Sequence, residues 1–379
     1  VSVEKNELLK TFQEVIQKPR NVYLDEWINA GNKVMGYYCS YIPEEIFTAG
    51  GFLPYRIRGV GSRDSSEGDA YMSARLCTFV RQTMSLALRG EMNFLDGVVL
   101  AQNCDHIRRA GDLFEKKVKL PFYSFISIPR APKERLFEWY LAELRRLKGE
   151  IEGHFGLAIT DQKLNESIAL HNETRERIRK LYELRKKDAP PITGEEALTV
   201  TIAAHLMPRQ KFNALMDELL GHLRDAKGTG DYRARVIITG GELDNPEFLA
   251  GIEQQGALSV AEVVCFGQRS FGDPIPDAAG DPLERIARHR FFQVPCARMV
   301  ECFDDQVATL RNTVREFRAD GIIFQRMKFC DPWAGDAHNL HWRMREEGIP
   351  FLALDREYQV PASGQVKTRV QAFLEKIGK

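Results

Sequence analysis

Three cysteines carry the sharpest chemistry in this chain, because Cys77, Cys104 and Cys330 each stand where a strand or turn hands over to a helical pattern. Arg75-Leu76-Cys77 precedes a periodic apolar series of Phe79, Val80, Met84, Leu86 and Leu88. Asn103-Cys104-Asp105 follows the apolar run at Val98, and Lys328-Phe329-Cys330-Asp331-Pro332 follows the run at Ile322. A helix N-terminus lowers the pKa of a thiol and stabilises anions, which suits thiolates that hold an iron–sulfur cluster. Asp331-Pro332 adds a capping residue and a first-turn proline to the last case. The three are dispersed, with no Cys-x-x-Cys run, so ordinary burial is the competing reading from composition alone.

The other cysteines divide differently. Cys39 ends a predicted strand ahead of Ser40-Tyr41 and Pro43, where it either completes a ligand set or packs beside one. Cys265 is read as a mid-strand core residue in Val263-Val264-Cys265-Phe266, and Cys296 and Cys302 are read as core residues too. Catalytic candidates for proton transfer are Glu44, Glu45 and His106, with Asp105, His338 and His341 further off. For Glu44 and Glu45 the simpler role is charge support of a helix start. His338 and His341 lie one helical turn apart and read as surface or capping residues. Arg108-Arg109 and Arg326-Lys328 suit a phosphate or carboxylate, although isolated basic pairs are usually solvated.

These residues need a scaffold, and the hydrophobic periodicity predicts one. Strands are expected at 34–39, 52–57, 95–100 and 122–128, with a helix opening at Pro43-Glu44-Glu45 and closing at Gly50-Gly51. Two long charged helices follow at 133–153 and 161–187, then further helices from Gly194 to about Ala226. Strands at 235–239, 260–266, 321–325 and 350–354 restart the alternation after Lys227-Gly228-Thr229-Gly230-Asp231, and an amphipathic helix closes the chain at 366–377. The prediction is therefore an α/β protein of two Rossmann- or flavodoxin-like parallel-sheet domains with an intervening helical segment. The expected boundaries are 1–228, with helices over about 133–228, and 229–379.

Bulk composition narrows the function. The 379 residues, 44% of them hydrophobic, suffice for two α/β cores. Lys plus Arg and Asp plus Glu number 53 each, a balance that argues against a nucleic-acid or membrane-surface binder. Seven scattered cysteines do not form the dense framework of a small secreted domain. The first ten residues lack a leader's apolar segment, and no run is long enough to cross a bilayer, so a reducing cytoplasm is the expected location. No dinucleotide or P-loop glycine motif and no nucleophile elbow occurs, which leaves any nucleotide chemistry to a partner.

A family likeness enters with Tyr38-Cys39-Ser40-Tyr41-Ile42-Pro43-Glu44-Glu45-Ile46 and Ala49-Gly50-Gly51-Phe52-Leu53-Pro54. It continues through Cys77, Leu95-Asp96-Gly97, Cys104-Asp105, Lys328-Phe329-Cys330-Asp331 and the closing segment Thr368-Arg369-Val370-Gln371-Ala372-Phe373. Together these motifs resemble the benzoyl-CoA reductase and 2-hydroxyacyl-CoA dehydratase family over nearly the whole chain. The resemblance implies a 4Fe–4S cluster held by Cys77, Cys104 and Cys330 and a pseudo-symmetric heterodimer with a homologous cluster-bearing core subunit. It further implies an acyl-CoA substrate, ATP-hydrolysing iron–sulfur activator subunits and ferredoxin as electron donor. Within the family, Tyr55-Arg56-Ile57-Arg58 and the stretch from Trp333 to Trp342 favour the smaller core subunit of a benzoyl-CoA reductase of anaerobic aromatic catabolism. The alternatives are a 2-hydroxyacyl-CoA dehydratase subunit and a non-catalytic iron–sulfur carrier or scaffold with Cys39 as fourth ligand.

Overall fold

Runs such as Val98-Val99-Leu100-Ala101 and Ile322-Ile323-Phe324 are apolar without alternation, the pattern of parallel strands covered on both faces. A computed structural model, which describes residues 2–61, 64–293, 295–358 and 364–378, places them at the centres of two sheets. The first contains β1 (Lys33–Tyr37), β2 (Phe52–Arg56), β3 (Gly97–Ala101) and β4 (Phe122–Ile126), in the order β2-β1-β3-β4. The second contains β5 (Ala234–Gly240), β6 (Ala257–Val263), β7 (Gly321–Met327) and β8 (Phe351–Arg356), in the order β6-β5-β7-β8. Every pairing in both is parallel. The fold is α/β with two parallel-sheet units, and the second repeats the winding of the first.

That winding decides where chemistry can sit. In each sheet the chain runs outward from the first strand to one neighbour, then returns to the other side for its third strand. The crevice lies at the carboxyl ends of these two central strands. In the first sheet these are β1 and β3, and in the second β5 and β7. Cys104 after β3 and Cys330 after β7 are therefore equivalent positions of the two units.

The helical segment comprises Glu134–Phe155, Asp161–Leu184, Gly194–Ala203 and Arg209–Arg224. Most of its charge faces solvent, with Arg175, Arg185 and Arg209 buried, and its apolar stripe faces inward. Tyr140, Leu144 and Ile168 cover Met35, Tyr37 and Val99 on one face of the first sheet. Gly194–Ala203 packs instead on β6 and on the Pro246–Glu253 helix, so one apolar core runs from Val34 and Val98 to Val236 and Ile322. Each fully buried large aliphatic or aromatic side chain contributes about 1.5–3 kcal/mol. A buried pair adds geometry: Arg185 donates to both oxygens of Glu262 at 2.6 Å, pinning the end of a long helix to β6.

Two expectations shift in ways that matter below. β6 spans Ala257–Val263, so Cys265 lies beyond the strand and not within it. The chain turns back over Val264 to Gly267, whose N–H donates to Val264 O, and a Cβ at Gly267 would stand 2.3 Å from Glu262 O. The helix whose periodicity is read over 338–347 runs over Asp331–Glu346, so it begins directly after Cys330, where Asp331-Pro332 marks its start. The helices Val22–Asn29 and Pro282–Phe291 were not anticipated, since both are short, with room for few periodic apolar positions.

Candidate metal centre

Cys77, Cys104 and Cys330 occupy the N-cap positions of the helices Thr78–Leu88, Asp105–Leu113 and Asp331–Glu346. None of the three side chains makes a capping hydrogen bond of full geometry, and the first-turn N–H groups of Phe79, Val80, Ile107 and Trp333 that face the sulfurs favour their thiolate form. The turn before Cys330 is strained, with Phe329 held at φ 65°, a conformation costly for a bulky residue and common where a site demands it.

One side chain ties the three starts together. The Cys77 N–H donates to His106 Nδ1 at 3.2 Å, and His106 Nε2 approaches Asp331 Oδ2 at 3.5 Å. His106 lies in the first turn of the helix capped by Cys104, and Asp331 directly follows Cys330. Ring and carboxylate thus bridge the first unit to the second. The sulfurs are near enough that Cys104 would feel the charge of Cys77, and Cys330 the charges of both. Burial pushes the thiols of Cys77 and Cys104 up to about 11, and that of Cys330 well above its ordinary value. As free thiols they would stay protonated, so a bound cation is needed to hold them as thiolates.

Three thiols at converging helix starts are the donor type that an iron–sulfur cluster takes. Among the described residues, no three His, Cys, Asp or Glu side chains stand close enough to share one metal ion. A sulfide-bridged centre is larger and takes thiolates set further apart. Beside Cys104 lies a cavity of about 310 Å³ lined by Asn103, Asp105, Arg130, Arg298, Asp331 and Pro332. Its two arginines are matched by Asp105 and Asp331, so the pull on an anionic occupant comes from the facing helix starts. A larger groove of about 1090 Å³, bordered by Tyr182, Arg285 and His289, touches only Cys302 of the cysteines.

The crevice holds further side chains that the sequence reading set aside or assigned elsewhere. Cys265 and Cys296 were expected in the core; both are half-buried at the junction of the two units, while Cys302 is buried as expected. Cys39 is half-buried beside them. Arg56 leaves the end of β2 and donates to Cys265 O and Ser270 Oγ at 2.7 Å each, with Glu242 at 3.4 Å and the ring of Phe266 at 4.2 Å. Arg58 donates to the carbonyls of Ile16 and Asp244. Both arginines are thus internal clamps between the units. Glu242 follows β5 through Gly240-Gly241; Gly240 has φ 119°, and a Cβ there would strike Gln325 O at 1.9 Å. Burial, then neighbouring Cys265, pushes the Glu242 carboxyl well above its usual range against the pull of Arg56. A glycine pair at a strand end was the one sequence sign of this position.

The remaining candidates lie elsewhere. Glu44 and Glu45 are buried under the helical segment. Glu44 accepts from Tyr37, from Arg209 and from His205 Nδ1, the last at 2.8 Å. Glu45 accepts from Arg175 and, at 3.2 and 3.3 Å, from Arg290. Burial alone would raise both carboxyls, but Arg209 and His205 hold Glu44, and Arg290 and Arg175 hold Glu45, well below the usual range. Asp105 is exposed and pairs with Arg109 at 2.8 Å; Arg108 is exposed. Arg326 pairs with Asp355 and Lys328 with Glu357. His338 and His341 are exposed, the first accepting from Trp342 at 3.0 Å.

The arrangement has relatives. Residues 39–377 match the family model of the 2-hydroxyglutaryl-CoA dehydratase D-component. The chain is 25% identical to the beta subunit of the (R)-phenyllactyl-CoA dehydratase of Clostridium sporogenes, over 96% of this chain and 97% of that one. It is 25% identical to the beta subunit of the lactoyl-CoA dehydratase of Anaerotignum propionicum, over 97% and 98%. It is 26% identical to a benzoyl-CoA reductase subunit of Thauera aromatica, over 86% and 87%. With a match that runs from the first crevice cysteine into the last helix, this chain belongs to the 2-hydroxyglutaryl-CoA dehydratase D-component family.

Proposed function

We propose that the chain is the iron–sulfur subunit of a heteromeric enzyme acting on a coenzyme A thioester, and that its reaction is the reductive dearomatisation of benzoyl-CoA or a related aromatic acyl thioester. The observation that carries the reading is the convergence of Cys77, Cys104 and Cys330 at three helix starts joined through His106 and Asp331. Those three cysteines would hold a 4Fe–4S cluster, which supplies low-potential one-electron transfer when bound. The likeness to a benzoyl-CoA reductase subunit supports the choice of reaction.

The chain's own residues then have definable tasks. The three helix starts stabilise negative charge at the sulfurs. His106 sets the relative position of the Cys77 turn and the Asp331 helix, a task that needs its ring in place more than its charge. Arg130 and Arg298 balance negative charge in the cavity beside Cys104. Reducing equivalents come from ferredoxin by way of ATP-hydrolysing iron–sulfur activator subunits, in keeping with a sequence that carries no phosphate-binding loop. The pair is closed across the substrate by a homologous, cluster-bearing subunit.

A second reading, a 2-hydroxyacyl-CoA dehydratase subunit, is favoured by the dehydratase subunits that predominate among the relatives and by the placement of Arg56 and Arg58. Those arginines spoke for an aromatic substrate in the sequence, yet they are clamps between the units. Electron stoichiometry separates the readings, because ring reduction consumes two electrons and two protons per product whereas loss of water consumes none net. The chain, purified anaerobically with its neighbouring subunits and driven by reduced ferredoxin and ATP, is expected to consume two electrons per benzoyl-CoA. Water loss from a 2-hydroxyacyl-CoA with no net electron use, and no turnover of benzoyl-CoA, would overturn the first reading.

A further inference from the structure

Cys265 and Cys296 meet from two separate segments, and neither belongs to the Cys77, Cys104 and Cys330 set. Cys265 sits on the turn that leaves β6, and Cys296 lies in the loop between the helices Pro282–Phe291 and Phe303–Glu316. Their side chains share a hydrogen bond, with the Cys265 thiol as donor. The packing around them agrees. Val263, Arg269 and Pro295 line one cavity of about 10 Å³, so the residue ahead of Cys296 rests on the turn that carries Cys265. Gln268 and Pro295 also border the open groove of about 1090 Å³, which brings solvent to the residues flanking the pair. Both cysteines are half-buried and so not sealed from it.

The two thiols differ in what their surroundings make of them. The hydrogen bond from Cys265 lowers the Cys296 thiol below its ordinary value, against burial and with help from Arg269 and the Arg298 N–H. Cys265 is held neutral by donating that bond and by burial. Arg269 is fixed by its carbonyl partners, Val263 O at 2.9 Å and Gly240 O at 3.2 Å, which leave its Nη1 3.6 Å from Cys265 Sγ. Cys39 lies near both cysteines, but burial pushes its thiol up to about 11, and its sulfur accepts from the Tyr41 N–H at 3.5 Å. A more acidic thiol in contact with a neutral one is the arrangement of a nucleophilic and a resolving cysteine.

We propose that Cys265 and Cys296 form a redox-active dithiol whose oxidant is a hydroperoxide. The Cys296 thiolate attacks one peroxide oxygen and becomes a sulfenic acid as the O–O bond breaks, and the other oxygen leaves with a proton as water or alcohol. The Cys265 sulfur then bonds to the Cys296 sulfur, and its proton departs with the sulfenic hydroxyl as water. The two thiols lose two electrons and the peroxide takes both. The loop that carries Cys296 is seated on the first unit. Gln293 Nε2 donates to Ser40 O at 3.4 Å, Arg298 Nη2 to Gln102 O and Ile128 O at 2.9 Å each, and the Val300 N–H to Arg130 O at 2.9 Å. Ala297, Arg298 and Val300 also line the cavity beside Cys104. The disulfide therefore ties the wall of that cavity to the turn after β6, and reduction frees it. This inference goes beyond the proposed function and does not depend on it.

The test takes the full chain, reduced and desalted anaerobically, and adds hydrogen peroxide in small excess. Remaining thiols are blocked with iodoacetamide, and linked peptides are mapped by mass spectrometry with and without dithiothreitol. The parent is expected to gain about one Cys265–Cys296 disulfide per chain, removed by dithiothreitol, a result that needs no variant and no activity. In parallel, C265S should stop at a Cys296 sulfenic acid that dimedone traps, and C296S should leave Cys265 a free thiol. Hydrogen exchange over residues 295–300 should slow when the parent is oxidised and stay unchanged in C265S treated alike. Free thiols at both positions, a bridge from Cys39 to either, or sulfinic acid at Cys296 with no bridge would overturn the proposal. A bridge that leaves the exchange of 295–300 unchanged would overturn the tie to the cavity wall.

Discussion

Glu44 and Glu45 on one side, and Cys77, Cys104 and Cys330 on the other, all mark helix starts in this chain, and their surroundings treat them oppositely. The two glutamates are buried and answered: Tyr37, His205 and Arg209 close on Glu44, and Arg175 and Arg290 on Glu45. The three cysteines cap their helices with no side-chain bond of full geometry and face one another across two units of the fold. A satisfied charge network fixes packing and has nothing left to offer a ligand. Convergent groups that their own structure leaves unanswered are what a cofactor can use.

The contrast breaks first at Glu45. If its role is structural, Glu45→Ala strands Arg175 and Arg290 in the interior and lowers stability by about 3–5 kcal/mol. Urea titration followed by circular dichroism reads this directly. A variant that unfolds like the parent but loses turnover would instead make Glu45 a catalytic group.

A smaller effect appears with pH. Burial lowers the His171 and His205 pKa values from 6.5 to about 3 and about 4, so both stay neutral inside while the unfolded chain takes up protons below pH 6.5. Stability is therefore lost as pH falls through that window, by up to about 1.4 kcal/mol per pH unit for each ring. Glu44 and Glu45 act in the same direction at lower pH, since their depressed carboxyls stabilise the fold above the unfolded value and cease to do so as pH falls through the folded one. Thermal midpoints measured from pH 7 to pH 5 should drop, and a H171Q/H205Q variant should drop less. A flat profile in the parent would remove this network from the acid response.

Much of the scaffold was legible because it rests on local signals. Uninterrupted apolar runs at Val98 and Ile322 marked buried parallel strands, and Pro43-Glu44-Glu45 and Asp331-Pro332 marked helix starts. The family likeness supplied what spacing could not, since Cys77, Cys104 and Cys330 meet only when two sheets dock. Cys265 shows the limit of periodicity: Val263-Val264-Cys265-Phe266 reads as one apolar run, and only the turn closed by Gly267 N–H on Val264 O takes Cys265 out of the strand. Arg56 and Arg58 spoke for the reductase branch and not for internal clamps for the same reason, because their partners Cys265, Ser270 and Asp244 lie some two hundred residues away. Long-range closure leaves no trace in a short window.

The account turns on the sulfurs of Cys77, Cys104 and Cys330, and the most direct measurement is the iron and sulfide content of Cys77→Ser, Cys104→Ser and Cys330→Ser chains prepared anaerobically beside the parent. The sulfurs make no cap bond of full geometry, so each variant should keep the parent's iron-free thermal midpoint while losing iron, sulfide and part of the visible absorption. Unchanged iron and absorption in all three variants would contradict the assignment.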